Sequence, residues 1–212
     1  MSEEFLQQFE RESVLGDEFV DRMHEDGNWG DRTLSDYLNL HADRRPDGVA
    51  LRDDRQSLTW EEVRSSVDRV AASLQDLGVD KYDRVALQLP NYVEWHLARL
   101  GIHRAGGVAV TIMPRFRRKE MTHVIKSTEP TVYIGPASFG DYEHMEIAFD
   151  LADEVESLEH VVGFDGEIAS DAHALEDLLN GAAEDLEVNP IEPDYPDELF
   201  TSGGTTGLPK IF

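Results

Sequence analysis

Ten consecutive residues, Thr201, Ser202, Gly203, Gly204, Thr205, Thr206, Gly207, Leu208, Pro209 and Lys210, bring together the donor types that a polyphosphate needs. Three glycines permit backbone angles that aim successive amide N–H groups at one point. Ser202, Thr205 and Thr206 add hydroxyl donors, and Lys210 adds a mobile positive charge. The spacing departs from the Walker pattern, in which Lys directly follows a Gly and precedes Ser or Thr. Here Leu208 and Pro209 separate Gly207 from Lys210. A flexible surface turn is the plainer reading of a generic Gly-Thr stretch, and Lys210 weighs against it. Lys81, Lys119, Lys126 and Lys210 are the only lysines among 19 basic residues. A Lys kept where the chain otherwise uses Arg supplies a compact point charge on a flexible stem in place of a planar fork.

Other constellations are weaker. Pro136, Ala137, Ser138, Phe139 and Gly140 lie between an expected strand and helix, as in a hydrolase nucleophile elbow, and Asp165 and His173 follow in triad order. Pro136 stands where the first Gly belongs and stiffens the turn, so a helix-capping Ser138 is the simpler account. Arg115, Arg117, Arg118 and Lys119 form the only basic cluster. They would steer an anionic ligand, or merely decorate a helix start that Glu120 partly balances. His96 and His103, seven apart, share a helix face but have no third ligand at metal spacing, so no metal site is expected. Trp60, Trp95 and Tyr92 fit core packing.

A loop of this kind needs a strand to deliver it and helices to cover that strand. Residues 198–201 read as the delivering strand. Before it, short apolar runs at 85–89, 108–113, 131–134 and 161–164 alternate with helical stretches at 92–104, 118–127 and 141–156. Continuous apolar strands separated by helices predict an α/β fold, a parallel sheet covered by helices on both faces. Further upstream, Thr33 reads as the N-cap of a helix that stops before Pro46, and 49–52 with 57–60 as a strand pair or hairpin. Thr59 with Glu62 makes a capping box, after which Val63, Val67, Val70, Leu74 and Leu77 mark one face of a helix closed by Gly78. Residues 1 to about 27 carry a broken amphipathic pattern that should dock on the downstream part of the chain. Residues 166–194 are acidic and less regular, a connector with one short helix near 175–179.

The whole chain, 212 residues with 40% hydrophobic content, can bury a real core. Forty-four acidic residues against 19 basic ones give a net charge of -25, spread along the chain and not gathered in a tail. Such a surface repels nucleic acid and anionic membranes. With so few lysines it fits a cytoplasm of very high salt, where screening removes the self-repulsion. The absence of Cys excludes disulfides and thiolate chemistry. The amino-terminal residues show neither a signal peptide nor a spanning stretch, so a cytoplasmic protein is expected.

TSGGTTGLPK, residues 201–210, resembles the signature phosphate loop of the adenylate-forming enzymes, the superfamily of acyl-CoA synthetases, aryl-acid ligases and peptide-synthetase adenylation domains. TWEEVRSSVDRVAASLQDLGVDKYDRVALQLPN, residues 59–91, and HRAGGVAVTIMP, residues 103–114, resemble that family's early helix, strand and turn segments in the expected order. The doubled Gly203 and Gly204, the QLPN of residues 88–91 and Ile211 after Lys210 resemble the aryl-acid branch, such as 2,3-dihydroxybenzoate-AMP ligases.

The resemblance implies the amino-terminal part of the family's large domain over residues 31–212, preceded by a helical extension over 1–30. It implies ATP and Mg²⁺ as partners in activating a carboxylic acid to an acyl-adenylate, with CoA or a phosphopantetheine-bearing carrier protein as the thiol acceptor. By position, Thr201, Ser202, Gly203, Gly204, Thr205, Thr206 and Gly207 would hold the β- and γ-phosphates, and Lys210 would neutralise charge on the departing pyrophosphate. The family's adenine-binding, Mg²⁺-holding, ribose-binding and acid-pocket residues and its mobile-domain Lys do not occur within the 212 residues. The isolated chain is therefore expected to lack turnover and to expose apolar edge at Ile211 and Phe212, inviting aggregation or a complementing carboxy-terminal portion. The alternatives are a non-catalytic remnant, a phosphate-binding module and a serine hydrolase using Ser138.

Overall fold

Local chemistry sets the helix starts. In the computed structural model, which describes residues 16–188, 190–194, 196–202 and 207–212, α1 is Asp17–Glu25 and α2 is Leu34–Arg44. Thr33 caps α2 reciprocally: its hydroxyl accepts from the Asp36 N–H at 3.3 Å, and the Asp36 carboxylate accepts from the Thr33 N–H at 2.9 Å. The strands β1 (Val49–Arg52) and β2 (Ser57–Thr59) pair antiparallel. They lead into α3 (Trp60–Asp76), where Thr59 and Glu62 form the second capping box. Gly78 leaves that helix at φ +81°, a conformation that suits a residue without a Cβ.

From there strands and helices alternate: β3 (Arg84–Leu87), α4 (Val93–Ala105), β4 (Val108–Thr111), α5 (Arg118–Thr128) and β5 (Val132–Pro136). A small antiparallel pair, β6 (Ser138–Phe139) and β7 (Tyr142–Glu143), precedes α6 (His144–Glu154) and β8 (His160–Phe164). The chain then adds β9 (His173–Ala174), α7 (Leu175–Asn180) and β10 (Glu198–Phe200). Six strands form one parallel sheet in the order β10-β4-β3-β5-β8-β9.

Alternation along each strand divides the core between two helical layers. Val85, Leu87, Ala109, Val132, Ile134, Val162 and Phe164 pack with α3, α4 and α7 through Val70, Leu74, Ala98, Ile102, Leu175 and Leu178. Ala86, Val110, Tyr133 and Val161 pack on the opposite face with Met121, Val124 and Ile125 of α5 and Ala148 and Leu151 of α6. Strands wetted on neither face have to be apolar throughout, which is why they read as unbroken runs.

Two expectations change. The 166–194 segment is more than a connector: β9 extends the sheet beside β8, and Leu175, Leu178 and Ile191 are buried. A two-residue strand carries no periodicity to read. The segment following β5 is also not a plain loop, since Ser138 and Phe139 pair with Glu143 and Tyr142. Of the amino-terminal extension, residues 1–15 lie outside the described residues. Its α1 is hydrogen-bonded to the approach to β10 through His24 Nε2 and Asp194, 2.8 Å apart.

The direction of strand addition reverses at β3, with β4 on one side and β5 on the other, the arrangement whose carboxyl ends offer a ligand crevice in open α/β sheets. Gln88, fully buried, occupies the carboxyl end of β3. Its Nε2 donates to the carbonyls of Met113 (2.9 Å) and Phe116 (3.1 Å), and its Oε1 accepts the Tyr133 hydroxyl at 2.8 Å. Burial raises the Tyr133 phenol pKa, keeping it a donor.

Candidate functional site

The two ends of the sequence-predicted cradle pair as the base of a hairpin rooted in β10, the strand at one edge of the parallel sheet. Phe200 and Phe212 exchange backbone hydrogen bonds at 2.9 and 3.1 Å, Thr201 bridges Ile211 in antiparallel register, and the Ser202 N–H donates to the Lys210 carbonyl at 2.9 Å. The Lys210 N–H returns to Ser202 Oγ at 3.0 Å. Residues 202 and 210 therefore face each other across a closed base. Gly203, Gly204, Thr205 and Thr206 lie outside the described residues.

Three contacts fix that base to the sheet and its helices. Thr201 is buried and its hydroxyl donates to the Thr111 carbonyl of β4 at 2.8 Å. That hydroxyl is thus engaged in holding the hairpin root. On the returning arm, the Pro209 carbonyl meets His123 Nε2 of α5 at 3.0 Å. Below the hairpin, Arg99 of α4 grips the amino end of β10, donating to Asp197 at 2.8 Å and Glu198 at 2.9 Å. The groups left facing outward are the chemical ones. Ser202 Oγ accepts from Lys210 and retains its own proton to donate, Gly207 is exposed, and the exposed Lys210 ammonium has no ion pair among the described residues.

The basic cluster lies at the start of α5, on the sheet end that carries the hairpin. Arg117 pairs with Asp141 at 3.2 Å and lies over the Tyr142 ring, and Arg118 pairs with Asp150. Arg115 and Lys119 are exposed and unpaired among the described residues.

The remaining sequence candidates are not brought together. Ser138 is exposed in β6, Asp165 pairs with Arg55 at 3.3 Å, and the His173 ring stands edge-on to His160 at 5.5 Å. No hydrogen bond joins Ser138, Asp165 and His173 among the described residues, and no group of three or more metal-ligating side chains converges there. His96 is half-buried at the edge of Trp95. Trp60 packs against His41 and Arg45, and Tyr92 against Phe164. His103 proves to be a different kind of residue from the exposed histidines. It is 3% exposed, burial lowers its pKa to about 4 against the opposing pull of Asp197, and Asp197 Oδ2 lies 3.5 Å from Nδ1. Sequence reasoning missed the cluster of Arg99, His103, Asp197 and Glu198. Its one local signal was a pair of basic residues on a helix that is otherwise apolar enough to be buried.

Among the described residues no helix is long and apolar enough to cross a membrane. The profile of a family described as AMP-binding enzyme matches residues 38–211. A salicylyl-CoA synthase / salicylate adenylyltransferase of a Streptomyces species is 32% identical over 200 residues, covering 92% of this chain and 36% of that protein. A salicyl-AMP ligase / salicyl-S-ArCP synthetase of Mycobacterium tuberculosis is 33% identical over 192 residues, covering 87% and 33%. The apo structure of Mycobacterium smegmatis MbtA superposes with a TM-score of 0.81 at 31% identity, over 93% of this chain and 36% of that one. The chain spans about a third of the length of the relatives it matches.

Proposed function

This chain belongs to the AMP-binding enzyme family, and from that premise we propose that it supplies the phosphate-gripping part of an ATP-dependent acid-activating ligase. The substrate carboxylate oxygen attacks the α-phosphorus of ATP and the α–β bridge breaks, giving an acyl-adenylate and pyrophosphate. An acceptor thiol, of CoA or of a carrier protein, then takes the acyl group and AMP leaves. Relatives named for salicylate and for 2,3-dihydroxybenzoate favour an aryl acid. The acidic surface favours a salt-rich cytoplasm as the setting.

One observation carries this reading: a hairpin closed by backbone bonds at the carboxyl end of an edge strand sets Ser202 opposite Lys210 and leaves the lysine ammonium unpaired among the described residues. Preorganised donors aimed at developing charge need no reorganisation when the bond breaks. Ser202, Gly203, Gly204, Thr205, Thr206 and Gly207 take the β- and γ-phosphates, Lys210 neutralises the departing pyrophosphate, and Thr201 holds the root. Mg²⁺, when bound with ATP, supplies further neutralisation of the phosphate oxygens.

Calorimetry of Mg·ATP in molar KCl tests this. The wild-type chain should bind, and Lys210→Ala combined with Gly204→Val should weaken binding by at least about tenfold, the worth of one charge-assisted contact. Equal binding by both proteins would remove the hairpin from the site.

A further inference from the structure

In a chain this acidic, a basic side chain without a carboxylate partner is informative. Two of the four lysines are held in ion pairs: Lys81 with Glu192 at 2.5 Å and Lys126 with Glu154 at 2.7 Å. The other two, Lys119 and Lys210, are exposed and unpaired among the described residues. They are carried by two elements that touch. Lys210 sits on the returning arm of the hairpin. His123 of α5 meets the carbonyl of Pro209, the residue before Lys210. Lys119 precedes His123 by four residues, so it shares that helix face one turn nearer the amino end of α5. Because α5 runs antiparallel to the strands it connects, its amino end points toward the sheet end from which the hairpin projects. The first turn of a helix adds a favourable field for an anion.

We propose that Lys119 is a second polyphosphate-binding lysine, holding from the α5 side the same phosphate tail that Lys210 holds from the hairpin. The inference rests on the hairpin being an ATP phosphate site. Of the neighbouring arginines, Arg117 and Arg118 are engaged by Asp141 and Asp150, and Arg115 precedes the helix that His123 anchors. His123 acts as a positioning residue that fixes the spacing between the two lysines through Pro209. A lysine suits such a place because its ammonium can follow phosphate oxygens that move apart as the bridge breaks, whereas a guanidinium fork demands one plane.

The test is calorimetry of inorganic tripolyphosphate and of Mg·ATP against wild type, Lys119→Ala, Lys119→Arg, Lys126→Ala and Lys210→Ala, with melting temperatures checked. Lys126 is the control, a lysine on the same helix two turns further along and already paired with Glu154. Lys119→Ala should weaken both ligands about tenfold, Lys119→Arg should restore part of the loss, and Lys126→Ala should change binding less than about twofold. Equal effects at 119 and 126 would reduce Lys119 to a general surface charge and overturn the inference, while a loss in Lys210→Ala would leave the hairpin site standing. No binding of either ligand by wild type would remove the hairpin site and Lys119 with it.

Discussion

His103 shows how far one residue can depart from what its type suggests. Both of its ring nitrogens are buried without a hydrogen-bond partner among the described residues, and burial holds its pKa at about 4, below the usual 6.5. A histidine with a depressed folded-state pKa binds its proton more readily when unfolded. Its contribution is therefore complete above about pH 6.5 and is lost as pH falls toward 4, a total of about 3 kcal/mol at 1.36 kcal/mol per unit. Urea midpoints of the wild type should fall steadily from pH 6.5 to 4.5. His103→Leu, which cannot take up that proton, should be nearly flat over the same range. Parallel curves for the two proteins would show that His103 does not govern the acid limb. Beyond the apolar helix that carries it, nothing near residue 103 announces this, because the residues around it, among them Arg32, Thr33, Tyr37, Ile191, Pro193 and Asp197, lie far away in sequence.

At the scale of elements, what could be read from sequence depended on whether the determining residues are neighbours. The Thr59 and Glu62 box was legible because both partners lie within one turn, and so was the α3 face of Val63, Val67, Val70 and Leu74. Strand β9 was not, since only its pairing with β8 defines it. The hairpin was half legible: the delivering strand near 198–201 could be read, but the anchoring of its base depends on Thr111 and His123, which belong to other elements. The contact between α3 and α4 is another case. Gly101 lets the helices approach so closely that an added methyl would meet Val70 Cβ at 2.7 Å. Gly101→Ala gains helix propensity of about 1 kcal/mol, yet overpacking against a β-branched neighbour costs about 1–3 kcal/mol. Net destabilisation is expected, and Gly101→Ala with Val70→Ala should relieve the strain, leaving a cavity cost in its place. A more stable single variant by urea denaturation would mean the interface yields without cost.

For the molecule as a whole, the balance of charge decides where these devices can work. Nineteen basic residues face 44 acidic ones, and several arginines neutralise carboxylates that the fold brings together, as Arg64 does with Asp43 and Glu61 and Arg99 with Asp197 and Glu198. The surplus carboxylates remain on the surface, where they repel one another over a Debye length of about 10 Å at 0.1 M salt but only about 3 Å at 1 M. The folded state, which concentrates these charges, should gain more from screening than the expanded chain does. Raising KCl from 0.1 to 2 M should therefore lift the thermal midpoint by about 5 °C, some 2 kcal/mol for a chain of this length. Sucrose at equal osmolality separates screening from preferential exclusion, since it strengthens apolar burial without touching charge. If sucrose matched KCl, the acidic surface would not be what sets the salt requirement. If KCl alone stabilised, the same screening would also let a polyanion approach Lys119 and Lys210 through the surrounding field of carboxylates.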